Sequence, residues 1–184
     1  LWSKQHGLLT DKFPELFELT RQLPNGIVMD GETIAFSNGK PLPYSILQNR
    51  MSKRAVTRTA AAESPAAYIA FDIMEYDGVD IRNKTLTERR ILLEKLIANT
   101  GSSNVLYISP LLEIRSGRSL EELKVSSLQN NCSGLILKRK DSVYSAPGCR
   151  VSIVNEPYSI TAVMLYAQKG AQSDVFSEFT FGLW

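Results

Sequence analysis

Residues 133–144, Ser-Gly-Leu-Ile-Leu-Lys-Arg-Lys-Asp-Ser-Val-Tyr, carry the densest chemistry in the chain. Leu135, Ile136 and Leu137 read as a buried strand that runs directly into Lys138, Arg139 and Lys140. An apolar strand with a basic exit presents fixed positive charge to a phosphate. Upstream, Asp30-Gly31-Glu32 places carboxylates around a glycine inside a strand-like run. Such a carboxylate either reaches a ribose hydroxyl or a divalent ion, because glycine lets a ligand approach the backbone, or sits solvated on the open face. Alternation along 66–76 puts Ile69, Phe71 and Ile73 on one face. Phe71 is then either a core aromatic or a ring that stacks on a base. Arg50, Lys53, Arg54 and Arg58 form a run with no acid before Glu63. That run suits a phosphate-contacting loop or a solvated basic face.

Other chemistries find no residues. His6, the only histidine, lies in the polar turn Ser3–Gly7, without the partners that nucleophilic catalysis needs. Cys132 and Cys149 match no zinc spacing, so a disulfide scaffold and a cysteine-based metal site are both disfavoured, and two reduced thiols in a cytoplasmic protein are expected. A net charge of +2 does not by itself announce nucleic acid, so local clusters must carry that case. No apolar run reaches the roughly 18 residues of a membrane span, and the N-terminus is no signal peptide. The chain opens on Leu1 without an initiator Met and stops on an apolar strand at Trp184, so both ends read as cut.

The elements that must position these residues follow from periodicity and turn chemistry. Phe13, Leu16, Phe17 and Leu23 recur at helical spacing after Thr10 and Asp11, and Pro24-Asn25-Gly26 stops that helix. Strands are expected over Ile27–Phe36, followed by a Ser37–Lys40 turn, and over Ala66–Tyr76, closed by Asp77-Gly78. A short helix covers Tyr44–Met51, with a basic, Ala/Thr-rich connection to Pro65. Thr85 and Glu88 form a capping box for a helix buried through Ile91, Leu92, Leu96 and Ile97, and the charges of Thr87-Glu88-Arg89-Arg90 face solvent. Val105–Ile108 is a strand, Ser119 and Glu122 cap another helix, and Leu135–Lys138, Ile160–Ala167 and Phe179–Trp184 complete the strands. The irregular interleaving predicts an α+β fold, with a boundary near 150–157.

Taken in order, these segments resemble the ATP-dependent DNA ligases, the bacterial type most closely. Leu1–Thr10 is similar to the strand motif after the nucleophile box, with Lys4 at its usual arginine. Asp11–Phe36, with Phe13-Pro14-Glu15 and Met29-Asp30-Gly31-Glu32-Thr33-Ile34-Ala35, resembles the third motif, and Glu32 falls on its acid. Phe71–Gly78 with Thr87–Arg90 is the most specific match, placing Phe71 on the residue that packs against adenine. Ser133–Tyr144 resembles the fourth motif, with Lys138 on its lysine, and Pro157–Trp184 resembles the first strands of an OB-fold domain. The resemblance implies a nucleotidyltransferase (adenylation) domain over 1–150, lacking its N-terminal part, and a linker with an incomplete OB fold over 151–184. It implies ATP and Mg²⁺ as cofactors, with Glu32 the metal-binding carboxylate, and nicked double-stranded DNA as partner. It also implies nick sealing through enzyme–AMP and DNA–adenylate, and hence replication, repair and recombination.

Within that resemblance, Arg50, Lys53, Arg54, Arg58, Arg139 and Lys140 are the DNA-phosphate candidates. Three departures stand out. No Lys-x-Asp-Gly box occurs, so the nucleophilic lysine is absent. Ser133 stands at the fourth-motif glutamate, and Ser152 and Val154 stand at the two lysines of the fifth motif. The chain by itself is therefore expected not to seal nicks, and the alternative is a degenerate homologue that at most binds nucleotide or DNA weakly. RNA ligation or capping is disfavoured by the OB-like strands.

Overall fold

The structure is a computed structural model that describes residues 1–3, 7–53, 56–101, 103–112, 120–132, 134–144, 150–154, 161–169 and 176–182, and only the backbone of residues 58, 128, 150–154 and 177. In chain order its elements begin with β1 (Trp2–Ser3), β2 (Gly7–Leu8), a 3-10 turn (Thr10–Lys12) and α1 (Pro14–Leu19). Next come β3 (Val28–Ser37), β4 (Lys40–Pro41), α2 (Tyr44–Ser52), α3 (Arg58–Glu63), β5 (Ala66–Tyr76) and β6 (Val79–Asp80). The remainder are α4 (Leu86–Asn99), β7 (Leu106–Ile108), α5 (Leu120–Gln129), β8 (Gly134–Lys138), β9 (Arg150–Val154), β10 (Val163–Lys169) and β11 (Phe176–Gly182). The fold is α+β, as expected: antiparallel sheets flanked by helices, with β7 added parallel to β5.

Strands β4, β3, β5 and β6 lie side by side, and β7 pairs with β5. Two turns with positive φ, Asn38-Gly39 and Asp77-Gly78, close the hairpins that the sequence signalled. α4 packs Leu93 and Leu96 onto Ala70, Ile73 and Leu106 of the sheet, and a second cluster joins Phe13 and Leu16 to Leu47, Ala35 and Ala66. The segment 53–65 contains helix α3, capped by the Thr57 side chain accepting from the Ala60 amide; its alanines favour helix over the connection expected.

Two irregularities in the β3–β5 ladder correct the alternation read from sequence. Asp30 pairs with Asp72 but Gly31 with Ala70, which leaves Phe71 as an extra residue in a bulge. The bulge turns the strand, so Ala70 and Ile73, three residues apart, are both fully buried in one core. Ile73 therefore does not share a face with Phe71. Gly31 is needed for a protein contact: a Cβ there would lie 2.5 Å from the Ile69 carbonyl and 2.7 Å from the Tyr68 ring. The room left by the glycine is filled by Tyr68, whose hydroxyl donates to the Met29 carbonyl at 3.1 Å.

The helix stripe is also rotated from expectation. Ile91 is 60% exposed, whereas Arg89, Leu93 and Leu96 are buried. β8 pairs with β9, Lys138 opposite Arg150, in a two-stranded sheet. Ile136 and Leu137 are 45% and 41% exposed, so β8 is not the buried strand its composition suggests; a two-stranded sheet cannot cover both faces. β10 and β11 form a separate hairpin whose Leu165 and Tyr166 are 64% and 58% exposed.

Candidate functional site

The site is built where β5, β8 and α4 converge. Phe71, half-buried in its bulge, carries the Lys138 ammonium 4.6 Å above its ring centroid. The same ammonium donates to Asp72 Oδ2 at 3.1 Å. Asp72 is also gripped by Arg89, Nε to Oδ1 at 2.8 Å and Nη2 to Oδ2 at 3.0 Å, with both side chains only 2% exposed. Burial alone would raise the Asp72 pKa; the Arg89 hydrogen bonds and the neighbouring Lys138 charge outweigh it and hold the carboxyl below its usual range.

The segment after Lys138 docks on the start of α4. Leu86 and Thr87 donate backbone N–H groups to the carbonyls of Ser142 and Lys140, at 2.8 and 3.1 Å, satisfying two N-terminal donors of the helix. The segment ends with the Tyr144 hydroxyl donating to Asp30 Oδ2 at 2.9 Å, while its ring lies under Arg89. Glu32 pairs with Ile69, two residues along β5 from Phe71. The Glu32 residue is solvent-accessible, yet partial desolvation of its carboxyl raises its pKa. Burial raises the pKa of the Cys132 thiol, and the Glu32 charge adds to that rise.

The remaining candidates divide sharply. Arg50 is 1% exposed, and all five guanidinium N–H donors are used, by Glu15, Ser64 and Lys12. It is a buried clamp between α1 and α2 and is not available to a phosphate. Lys53 and Lys140 are exposed, and Arg139 is exposed with a 2.7 Å ion pair to Asp141. Lys4, Arg54 and Ser133 lie outside the described residues, and Arg58, Ser152 and Val154 are placed by backbone only. Ser152 and Val154 occupy the β9 positions opposite Ile136 and Gly134. No cluster of three metal-ligating side chains occurs among the described residues. A separate cleft of about 380 Å³ at the β3–β4 turn is lined by uncharged residues, Phe36 and Tyr107 among them.

Sequence reasoning missed Asp72 and Arg89, and it placed Arg89 in solvent. Two signals were present. Asp72 is an acid between apolar neighbours in a central strand, and such a carboxylate needs a partner. Arg89 stands four and seven residues before Leu93 and Leu96, on the helix stripe that faces the sheet.

The fold, antiparallel sheets flanked by helices, is that of the nucleotidyltransferase domain of DNA ligases. Solved structures agree: a mycobacterial DNA ligase D complexed with ATP and MES superposes with a TM-score of 0.61 at 26% identity, covering 82% of this chain and 46% of that one. A Lig E DNA ligase, at 18% identity and TM-score 0.62, shares the fold over 89% of this chain and 60% of its own. The family model for the ATP dependent DNA ligase domain matches residues 1–152, and the chain belongs to that family. Among curated relatives, a probable DNA ligase of Persephonella marina is 32% identical over 79% of this chain and 25% of its own length. A probable DNA ligase of Opitutus terrae is 25% identical over the whole chain, which spans 21% of that protein. The SPbeta prophage-derived DNA ligase-like protein LigB of Bacillus subtilis is 29% identical over 92% of this chain and 58% of its own length. The chain thus spans less than two thirds of each of these relatives. No helix among the described residues is long and apolar enough to cross a membrane.

Proposed function

We propose that this chain carries the ATP pocket of a DNA ligase and, as these 184 residues stand, binds the nucleotide without forming the covalent enzyme–AMP. The observation that carries the reading is the meeting of Phe71 with Lys138, an aromatic platform beside a fixed cation. In this reading adenine stacks on Phe71 and Glu32 is the acid on the phosphate side. Magnesium is typically bound by one or two carboxylates plus substrate phosphates, so Glu32 suffices as one such ligand; bound there, the ion would offset phosphate charge. Nicked duplex DNA is the partner, met by exposed cations such as Lys53 and Lys140. The reaction would take place in the cytoplasm.

Covalent transfer needs a nucleophilic amine, and no lysine in the chain is followed by Asp-Gly. Incubation with labelled ATP and Mg²⁺ is expected to leave no covalent protein–AMP band, and a stable band overturns that part. ATP titrated into the chain is expected to bind saturably and to lose affinity in Phe71→Ala; no saturable binding overturns the nucleotide reading. Ser133, Ser152 and Val154 favour a second reading, a degenerate homologue that binds nucleotide or DNA weakly or not at all. An intact Lys-x-Asp-Gly box in the coding sequence upstream of Leu1 would favour the fragment of a ligase instead. In such an extended chain, Ser133→Glu raising the adenylylation rate would establish that the internal losses matter.

A further inference from the structure

We propose that Asp72 is a positioning residue for Lys138, and that Lys138 serves the base end of the nucleotide rather than its phosphates. The inference rests on the nucleotide reading above and assigns two side chains within it. The Lys138 ammonium already has an anion at 3.1 Å, and that anion cannot follow it, because Arg89 grips both oxygens of Asp72. Lys138 is itself only 15% exposed, so its head is held rather than swinging in solvent. A cation so committed adds less to a distant phosphate than an unpartnered one does, since the Asp72 charge offsets its field. Its effect is instead strongest on what it touches, the Phe71 ring at 4.6 Å. A cation on one face of an aromatic ring draws the π cloud toward itself. The opposite face becomes less electron-rich and stacks better on a purine, whose own π cloud is its partner there.

The arrangement also explains why the bulge falls at Phe71. Successive residues of a regular strand point to opposite faces. Here one ammonium reaches both the Phe71 ring and the Asp72 carboxylate, and the extra residue at Phe71 is the local irregularity in that ladder.

Two measurements test this. In the ligand-free chain with ¹³C-labelled lysine, one ε-methylene resonance is expected upfield of the others through the Phe71 ring current. It should vanish in Lys138→Met, return to the common position in Phe71→Leu, and lose most of its shift in Asp72→Asn. Asp72→Glu, which keeps the charge should Asp72→Asn unfold, is expected to retain part of the shift. The absence of a shifted lysine, or a shift unaltered in a folded Asp72 variant, overturns the positioning role. The second measurement compares adenosine, AMP and ATP binding in wild type and Lys138→Met. A ring-backing lysine lowers affinity for all three by the same factor, about threefold to tenfold. A loss that grows with each phosphate overturns the assignment to the base. Failure of the wild-type chain to bind any of the three sinks the nucleotide site itself and this role with it, whereas the ligand-free resonance still decides the contact with Asp72.

Discussion

Asp30 and Asp72 are direct partners across β3 and β5, and each carboxylate is answered from the same short segment, Asp30 by the Tyr144 hydroxyl and Asp72 by the Lys138 ammonium. Like charges opposite one another in a ladder repel. The segment 138–144 thus does two things at once: it closes over a pair of acids that would otherwise destabilise the sheet, and it delivers Lys138 to Phe71. Arg89 joins both tasks, holding Asp72 and donating to the Ser142 carbonyl at 3.3 Å.

Removing Arg89 should therefore be felt throughout the domain. Arg89→Met leaves a buried carboxylate with Lys138 as its one cation beside the Ile73 backbone N–H, and a loss of about 3–5 kcal/mol is expected from urea denaturation. The double variant Asp72→Leu/Arg89→Met should recover much of that loss, because it removes both charges. A single variant less than 1 kcal/mol below wild type contradicts the role given to the pair.

Arg50 and Lys140 should separate stability from DNA binding. Arg50→Lys cannot reproduce five donors in a planar fork, so it should destabilise by about 2–4 kcal/mol despite keeping the charge. Lys140→Ala should shift stability by less than about 0.5 kcal/mol, yet reduce the salt slope of binding to nicked DNA by about one. An unchanged salt slope removes Lys140 from the DNA face.

The pH profile of stability should have two limbs of opposite sign. Asp72 has a lowered pKa in the folded chain, so its contribution is complete above the unfolded carboxylate value of about 3.9 and is lost as pH falls through the folded value. Exposed Asp80, held down to about 2 by the Arg82 hydrogen bonds, adds to the same limb. Glu32 has a raised pKa, so the folded chain binds the extra proton and stability declines as pH climbs from the unfolded value, about 4.3, through the folded one. Urea midpoints from pH 2 to 7 should show Asp72→Asn flattening the acid limb and Glu32→Gln removing the decline. A Glu32→Gln profile identical to wild type argues against a desolvated carboxyl.

The β10–β11 hairpin should report itself by association. Met164, Leu165 and Tyr166 are each more than half exposed, alongside Phe179 and Phe181. Exposed apolar patches of this kind promote self-association. Sedimentation at rising concentration should detect oligomers, and Leu165→Glu should shift the population toward monomer. A monomer at all concentrations in the wild-type chain contradicts the expectation.

Local chemistry alone determined much of this protein. The turns at Asn38-Gly39 and Asp77-Gly78, the Thr85–Glu88 capping box and the strand Ala66–Tyr76 all follow from residue types a few positions apart, because turns, caps and strand propensity are short-range effects. Motif order likewise named the family, since it depends on residue identity and sequence alone. What the sequence left open was every relation between segments. Arg50 and Arg89 both looked like surface cations, and each became a buried clamp only because Glu15 and Asp72, 35 and 17 residues away, were brought against them. Phe71 and Ile73 were separated by a bulge that only the pairing register reveals. Burial and charge pairing are properties of the packed chain, so the long-range contacts decided which cations remain for a ligand and which hold the fold.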